Sequence, residues 1–339
     1  MFGRLKYNPE YGIKKMLKQK IIGQRKAQMF TITAILLIAL VFASFEIFSI
    51  LHERAAVKER VHSMDDFLKS LEKNMQRQLY ISGYRILFLA NQQTATKVAY
   101  INNFNDFNQE AFFNGTVDNV FTGVMIGATY NNITSSINQK AAKINVNVVL
   151  NNTVFSMAQN DPWNVRVSMV SDFVMTDVQG LALWNKRQDI SALISVENFE
   201  DPLFVVGSGG KITRKIKQTV YDGHYVTGSN ISNFTNHFLS GYYASNTNAP
   251  NFLMRLEGNF SASPDGIESF VIKEDLKKQG VVTNDNKDSK DYIYFDTSNF
   301  GLGCYILNPP ESYFVAGLSD GQRYNLTSLF YGSPNIFCY

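Results

Sequence analysis

Histidine and cysteine, the side chains that most often carry out catalysis or bind metals, are few in this chain. The four histidines are His52, His62, His224 and His237, and the two cysteines are Cys304 and Cys338. None of them has the neighbours or the spacing of a zinc site. No Cys/His pairing for nucleophilic catalysis stands out either. These residues therefore predict no catalytic group, no metal site and no cofactor.

Adjacent carboxylates occur at Asp65-Asp66 and at Glu200-Asp201. A glycoside hydrolase uses two carboxyl groups at a defined separation across a cleft, and neighbours in sequence do not form such a pair by themselves. We therefore assign both pairs to surface, cap or turn positions. The glycine-rich run 207–210 lacks the strand–loop–helix context of a phosphate loop, so it predicts a hinge or turn. The expectation is a protein that is not an enzyme.

Other residues predict covalent modification. Seven Asn-x-Ser/Thr sequons are candidate glycosylation sites. They begin at Asn114, Asn132, Asn151, Asn230, Asn233, Asn259 and Asn325. A disulfide between Cys304 and Cys338 would stabilise the fold by roughly 3–4 kcal/mol, and two unrelated buried thiols are the alternative. Sequons and a disulfide both agree with export from the cell.

A long apolar segment near the N-terminus predicts on which side of a membrane the sequons and the cysteines lie. Residues 29–51 are interrupted by a single charge, Glu46. At about 1.5 Å per residue, such a helix crosses a hydrocarbon core of roughly 30 Å. Eight Lys/Arg residues precede the segment, so the positive-inside rule predicts a cytoplasmic N-terminus and an extracellular C-terminal part. The chain is therefore expected to be a single-pass protein of the cell membrane, in contact with its lipids.

The charge is distributed unevenly along the chain. Residues 1–28 carry eight basic residues and one acidic residue, a net charge of +7. The net charge of the whole chain is +3, so the remainder has a net charge of −4. The main body is therefore not expected to bind nucleic acid. Glu46 lies near the outer end of the apolar segment, where its carboxylate can reach headgroups and water; pairing with a neighbouring subunit is the alternative.

The residues just before the apolar segment carry a family resemblance. Arg25-Lys26-Ala27-Gln28 resembles the class III signal of archaeal type IV pilins and archaellin-like proteins. The resemblance implies cleavage between Ala27 and Gln28 by a prepilin peptidase and self-association through the remaining helix. Ile32 departs from the family, because many pilins have Glu at that place. An ordinary single-span anchor with a basic flank is the alternative.

The helical pattern continues beyond the apolar segment. No Pro or Gly occurs between Gln28 and Gly83, and apolar residues recur at heptad-like spacing. These candidate assembly residues, considered together with Glu46, are Val57, Val61, Met64, Leu68, Leu71 and Met75. The seam suits a helix packed on its own β-domain or a coiled coil between subunits. After Gly83, aromatic and apolar residues dominate the segment 84–89, interrupted by Arg85, which predicts docking of Tyr84, Ile86, Leu87, Phe88 and Leu89 into a core.

Alternating apolar and polar residues predict antiparallel strands around 143–150, 165–175 and 190–196. Short helices are predicted within 230–258 and at 272–278, and strands at 211–221 and 292–295. The predicted fold class is α+β, with a transmembrane helix continuing into a long amphipathic helix, a sandwich-like β-rich ectodomain and a C-terminal α/β extension. The predicted segments are 1–27 (basic cytoplasmic segment or leader), 28–51 (transmembrane helix), 52–102 (amphipathic juxtamembrane helix), 103–206 (β-rich domain) and 207–339 (mixed α/β region).

A second resemblance concerns the layout of several short motifs. Asp161-Pro162-Trp163, Trp184 and the segments 196–203, 252–257 and 266–269 look like a layout found in uncharacterised membrane-anchored proteins of small-genome archaea. This likeness implies an archaeal surface setting and no catalytic residue. The leading expectation is thus a pilin-like structural or adhesive surface subunit. A receptor-like ectodomain binding a glycan or peptide is the alternative, and a membrane-anchored hydrolase is a third possibility.

Overall fold

The computed structural model describes the backbone of residues 9–228, 230–298, 304–306, 315–316, 323–324, 326 and 336–338. Side chains are described for 28–228, 230–298, 323, 324 and 326. The chain divides into two compact units, Met1–Asp66 and Phe67–Tyr339. Each unit is described by itself below.

The described residues of the first unit form helix α1, which runs from Pro9 to Lys97. Between residues 29 and 51 its large apolar side chains are exposed around the whole helix. Three hydroxyls in this segment donate to backbone carbonyls three or four residues earlier; they belong to Thr31, Thr33 and Ser44. The helix is therefore long and apolar enough to cross a membrane, a description that a signal sequence also fits.

A three-stranded antiparallel sheet forms the centre of the second unit. Its order is β3 (Val146–Asp161), β4 (Asn164–Asp177) and β5 (Leu183–Ser195). The predicted alternation is confirmed, because successive side chains of a strand point to opposite faces. In β4 the buried apolar residues are Val165, Val167, Met169, Phe173 and Met175. All three predicted central strands are present, and each is longer than its sequence pattern indicated.

The buried face of this sheet packs on helices. Gly83 of α1 lies so close to it that a Cβ there would be 2.3 Å from Val167 Cγ2 and 2.6 Å from Ile194 Cδ1. Helix α2 (Phe104–Asn114) stacks Phe112 on Phe155 of β3, with ring centroids 3.8 Å apart. Helix α3 (Tyr130–Ala142) also packs on β3. The mixed α+β class is therefore shown, whereas the sandwich is not confirmed, because the partner of this sheet face is helical.

Local hydrogen bonds fix the segment between α1 and the sheet. Asn103 and Thr129 cap α2 and α3, and Asn132 completes a capping box with Thr129. A small hairpin of β1 (Thr116–Val117) and β2 (Val120–Phe121) separates the two helices. Its turn residue Asp118 accepts a hydrogen bond from Gln93 of α1 at 3.0 Å.

Short elements follow the sheet. They are α4 (Pro202–Gly207), α5 (Ser232–Leu239), β6 (Ala244–Ser245), α6 (Phe252–Leu256), β7 (Ile267–Glu268), α7 (Lys273–Lys278) and α8 (Asp291–Phe295). The helices predicted within 230–258 and at 272–278 are confirmed. The strand predicted at 292–295 is wrong, because these residues form α8, whose first turn is held by Asp291. The segment 211–221 forms isolated bridges at Lys215 and Gln218 in place of a continuous strand.

A three-stranded sheet lies near the C-terminus, with the order β10 (Ile336–Cys338), β8 (Cys304–Ile306) and β9 (Val315–Ala316). Both pairs of neighbouring strands are antiparallel. The register of β8 and β10 places Cys304 directly opposite Cys338.

Candidate functional site

A pocket of about 350 Å³ opens on the second unit, between the C-terminal part of α1 and the segment that follows β5. Its volume lies at the lower end of the roughly 300–1,000 Å³ seen for small-molecule pockets. The lining residues are Tyr84, Phe88, Asn91, Gln92, Ala95, Asn198, Phe199, Glu200 and Lys215. We call this feature the α1 pocket.

Aromatic rings form one wall of the α1 pocket. Tyr84 and Phe88 are one helical turn apart on α1, and each is 45% exposed. The buried ring of Phe199 lies against Tyr84, with centroids 5.4 Å apart. Tyr80, 44% exposed, stacks on Tyr84 at 6.4 Å and extends the row along the helix beyond the pocket. Side chains four residues apart share one helix face, so the three rings lie along one side of α1.

The opposite wall is held in place by backbone hydrogen bonds. Asn91 Nδ2 donates to the Glu200 carbonyl oxygen at 2.7 Å, and the Glu200 N–H donates to Asn91 Oδ1 at 3.0 Å. The Asn198 N–H donates to the Ile216 carbonyl, and the Ile216 N–H donates to the Phe199 carbonyl. The backbone of 198–200 is therefore fixed on both sides, which presents the side chains at a defined position.

The polar side chains of the pocket are two amides and one charge of each sign. Gln92 and Asn198 are exposed, and Asn198 has a φ of 70°, a conformation that asparagine tolerates better than most residues. Glu200 and Lys215 form an antiparallel bridge pair, so their side chains leave the same side of the pair. The lining thus carries no net charge.

A buried ionic network lies directly behind the pocket wall, because Asp201 follows Glu200. Arg255 Nη1 contacts Asp201 Oδ2 at 2.6 Å and Asp291 Oδ2 at 2.9 Å, and all three side chains are fully buried. Asp201 also caps α4 by accepting from the Leu203 N–H at 2.9 Å. The network joins α4, α6 and α8, and so anchors the wall that carries Glu200.

Further hydrogen bonds satisfy the carboxylates of this network. The Tyr243 hydroxyl donates to Asp201 Oδ2 at 2.8 Å, and the Ser269 hydroxyl donates to Asp291 Oδ2 at 2.9 Å. Burial raises the pKa of Asp201, which Arg255 partly opposes. Burial alone lowers the pKa of Arg255, but the two carboxylates more than offset this, so its pKa is raised. Because each group already has partners within the fold, the cluster is structural.

A second buried cluster surrounds His237. Its Nδ1 lies 3.0 Å from the Thr219 hydroxyl, and its ring packs on Tyr225 with centroids 5.1 Å apart. His237 Nε2 and the Tyr225 hydroxyl are buried and have no hydrogen-bond partner among the described residues. Burial, with a smaller contribution from Arg323, lowers the pKa of His237 to about 4. The imidazole is therefore neutral in the folded protein at neutral pH.

The described sequon asparagines differ in accessibility. The exposed ones are Asn114, Asn132, Asn151, Asn230 and Asn259. Asn233 is half-buried, and its Nδ2 donates to the His224 carbonyl at 2.9 Å. Asn325 lies outside the described residues. Glycosylation of each remains a prediction.

The predicted processing and assembly residues all lie on α1. The side chain of Ala27 is outside the described part, and Gln28 is exposed. Glu46 is exposed within the apolar segment. In the seam, Val57 is half-buried and Val61 is 41% exposed, whereas Met64, Leu68, Leu71 and Met75 are buried.

Sequence reasoning missed several residues of the site. The aromatic and apolar residues within 84–89 are predicted to dock into a core, but Tyr84 and Phe88 are partly exposed. Arg255 was not singled out, although a single cation among the apolar residues 252–256 is a signal of a buried ion pair. Glu200 and Asp201 were noted only as a pair. They prove to have different roles, one in the pocket lining and one in the buried network.

One motif belongs with these missed residues. Residues 317–321 read Gly-Leu-Ser-Asp-Gly, the Gly-x-Ser-x-Gly spacing of a serine nucleophile elbow. The motif itself lies outside the described residues. A nucleophile elbow follows a strand of an α/β-hydrolase sheet and leads into a helix, whereas the preceding strand β9 is two residues long and pairs antiparallel with β8. In the described residues, the strand before the motif thus differs from the strand that precedes a nucleophile elbow.

In the part of the chain that the structure describes, no three His, Cys, Asp or Glu side chains come together as metal ligands. Comparison with known proteins gave no relative: no family model, no curated protein and no solved structure matches the chain. A function for the chain therefore has to be argued from the geometry of the site.

Proposed function

We propose that the chain is a non-enzymatic, single-span cell-surface protein whose second unit is a receptor-like ectodomain that binds a ligand in the α1 pocket. The observation that carries the proposal is the lining of that pocket, which combines aromatic rings with amide groups held by a fixed backbone. Pockets that bind small molecules combine an apolar wall with a few well-placed polar groups.

The anchor in this proposal is the apolar part of α1. Its exposed Leu, Ile, Phe and Val side chains between residues 29 and 51 are stabilised when a bilayer removes them from water. The basic residues before it favour a cytoplasmic N-terminus. The proposed location is therefore the cell membrane, with the second unit and its sequons outside.

Binding without turnover is favoured by the chemistry of the pocket. Among its lining residues Glu200 is the single carboxylate, whereas glycoside hydrolysis generally needs two. A fluorophosphonate probe of serine nucleophiles tests the remaining hydrolase route. We expect no labelling of the full chain. Labelling that disappears in Ser319→Ala would contradict a purely binding role.

The proposal is tested by screening the full chain, reconstituted in nanodiscs, against glycan and peptide arrays. We expect at least one class to bind the unmodified chain and to be lost in the double variant Tyr84→Ala/Phe88→Ala. The double variant Val120→Ala/Phe121→Ala is a matched control, because both side chains are exposed outside the pocket. If no binding depends on Tyr84 and Phe88, the receptor-like function is wrong.

A pilin-like subunit is the second candidate function. It is supported by the Ala27-Gln28 junction beside an uninterrupted helix α1, as the family resemblance implies. It predicts a mature N-terminus at Gln28 in sheared surface filaments. Mass spectrometry of native material tests this, and Ala27→Phe should block processing. A start at Met1, in membranes alone, would leave a single-span anchor.

A further inference from the structure

The aromatic row on α1 has the dimensions of a platform for ring-shaped ligands. Tyr80, Tyr84 and Phe88 are spaced four residues apart, which corresponds to about 6 Å along a helix. The stacked Tyr80 and Tyr84 rings have centroids 6.4 Å apart and planes inclined by 19°. A pyranose ring with its glycosidic oxygen has a similar length. Successive sugar rings can therefore lie on successive side chains.

Stacking of this kind has a physical basis. One face of a pyranose presents aliphatic C–H bonds with partial positive charge. The face of an aromatic ring carries negative charge density, which attracts these hydrogens as it attracts a cation or the edge of another ring. Burying the apolar sugar face also removes it from water.

The polar groups that remain available in the pocket suit hydroxyls. Gln92 and Asn198 are exposed amides, each with acceptor and donor atoms. Glu200 and Lys215 add one strong acceptor and one strong donor with no net charge. A ligand with many hydroxyl groups and no charge is complementary to such a lining, whereas a polyanion would face the Glu200 carboxylate.

An extended peptide is a poorer match to the same wall. Peptides that add to a sheet edge need unpaired backbone N–H and C=O groups. The Glu200 N–H and carbonyl are occupied by Asn91, and the backbone of 198–201 is bonded to Arg214 and Ile216. The backbone of 198–201 therefore has no unpaired strand edge to which a peptide could add.

We propose that the ligand of the α1 pocket is an uncharged oligosaccharide, with one sugar ring on the exposed faces of Tyr84 and Phe88 and the next ring on Tyr80, while the buried Phe199 supports Tyr84 from behind. This inference rests on the proposed receptor-like function and specifies its ligand class. Gln92, Asn198, Glu200 and Lys215 then bind the hydroxyls at the pocket end. The ring on Tyr80 is held mainly by stacking.

The test uses the full chain in nanodiscs and isothermal titration with neutral oligosaccharides of increasing length. Loss of one stacking ring, in Tyr84→Ala or Phe88→Ala, should weaken binding about tenfold, the size expected for one aromatic contact. Tyr84→Phe should retain affinity, because the ring is kept. Phe121→Ala, an exposed aromatic residue outside the pocket, should leave binding unchanged.

Chain length provides a second, independent readout. Tyr80→Ala should weaken binding of a longer oligosaccharide and leave that of a monosaccharide unchanged, because only the longer ligand reaches Tyr80. Equal loss for both lengths, or no loss for either, would overturn the proposed order of rings along α1.

The remaining outcomes separate the two proposals. Preference for sulfated or uronic-acid oligosaccharides would overturn the uncharged ligand class. Peptide binding that is lost in Tyr84→Ala, with no sugar binding, would overturn the sugar and keep the receptor-like function. Self-association of the chain that is lost in Phe88→Ala would assign this surface to a second copy and overturn the inference. Absence of any pocket-dependent binding would overturn both proposals.

Discussion

Asn91 and Glu200, 109 residues apart in the chain, exchange two hydrogen bonds, one from Asn91 Nδ2 to the Glu200 carbonyl and one from the Glu200 N–H to Asn91 Oδ1. The Asn91 amide thus pairs with the backbone N–H and carbonyl of Glu200 as a residue of a neighbouring strand would. It ties α1 to the segment that bears Phe199 and Glu200. The α1 pocket depends on this tie, because its two walls come from α1 and from that segment.

Replacing Asn91 with Leu should therefore reduce both stability and ligand binding. The variant leaves the Glu200 N–H and carbonyl without their partner, which costs about 1–3 kcal/mol of unfolding free energy. Thermal unfolding of the full chain in detergent measures this. Gln92→Leu, at the exposed neighbouring position, should change stability by less than about 0.5 kcal/mol. Equal stability of the two variants would contradict the role of Asn91.

A substitution at Gly83 tests the packing of α1 on the sheet. A methyl group there would overlap Val167 and Ile194, so Gly83→Ala should destabilise the fold by about 1–3 kcal/mol despite the better helix propensity of Ala. Gly123→Ala is the matched control, since no atom lies within 4 Å of its added Cβ. An unchanged melting temperature of Gly83→Ala would show that α1 does not approach the sheet this closely.

Arg255 should be the most sensitive position of the buried network. Arg255→Met leaves Asp201 and Asp291 buried without their cation, which costs about 3–5 kcal/mol. Adding Asp201→Asn and Asp291→Asn to the same variant removes the uncompensated charges and should restore part of the loss. Denaturant unfolding measures each step, and Arg166→Met, on the exposed face of β4, should be nearly neutral. A triple variant less stable than Arg255→Met would contradict this electrostatic explanation.

The sequence predicted the central strands well and the pocket hardly at all. Strands such as β4 follow from local alternation of apolar and polar residues, a signal that needs no knowledge of distant contacts. Residues 84–89 were expected to dock into a core as a block. Ile86, Leu87 and Leu89 are buried, but Tyr84 and Phe88 fall on the other side of the helix and are partly exposed. Which side faces the sheet is decided by tertiary packing at Gly83.

The prediction of a strand at 292–295 is wrong for a similar reason. Four apolar and aromatic residues are compatible with a strand or with one helical turn. Helix α8 is selected by Asp291, which bonds to Arg255 and Ser269 and accepts from the Tyr292 N–H. Its partners lie 36 and 22 residues away, so no local pattern reveals the choice.

Because His237 is buried, we expect the folded protein to lose stability in acid. Its pKa is lowered from 6.5 to about 4 in the folded chain, so between these values the unfolded state binds a proton that the folded state does not. Stability should therefore fall as pH drops from about 6.5 to 4, by up to about 3 kcal/mol. His237→Gln should lack this component of the pH dependence. His224→Gln, at an exposed histidine, should retain it, and identical pH profiles for all three proteins would contradict the prediction.

The register of β8 and β10 makes the cysteine pairing testable. Opposed residues of an antiparallel pair have Cα atoms about 4.5 or 5.5 Å apart, and both spacings fall within the range that a disulfide spans. Because Cys304 is opposite Cys338, we expect a bridge that stabilises the folded chain by roughly 3–4 kcal/mol. Cys304→Ser, Cys338→Ser and the double variant should then melt at the same lowered temperature, since each removes the same bond. Alkylation of both thiols in the unreduced, native protein would show instead that the strands pair without a covalent link.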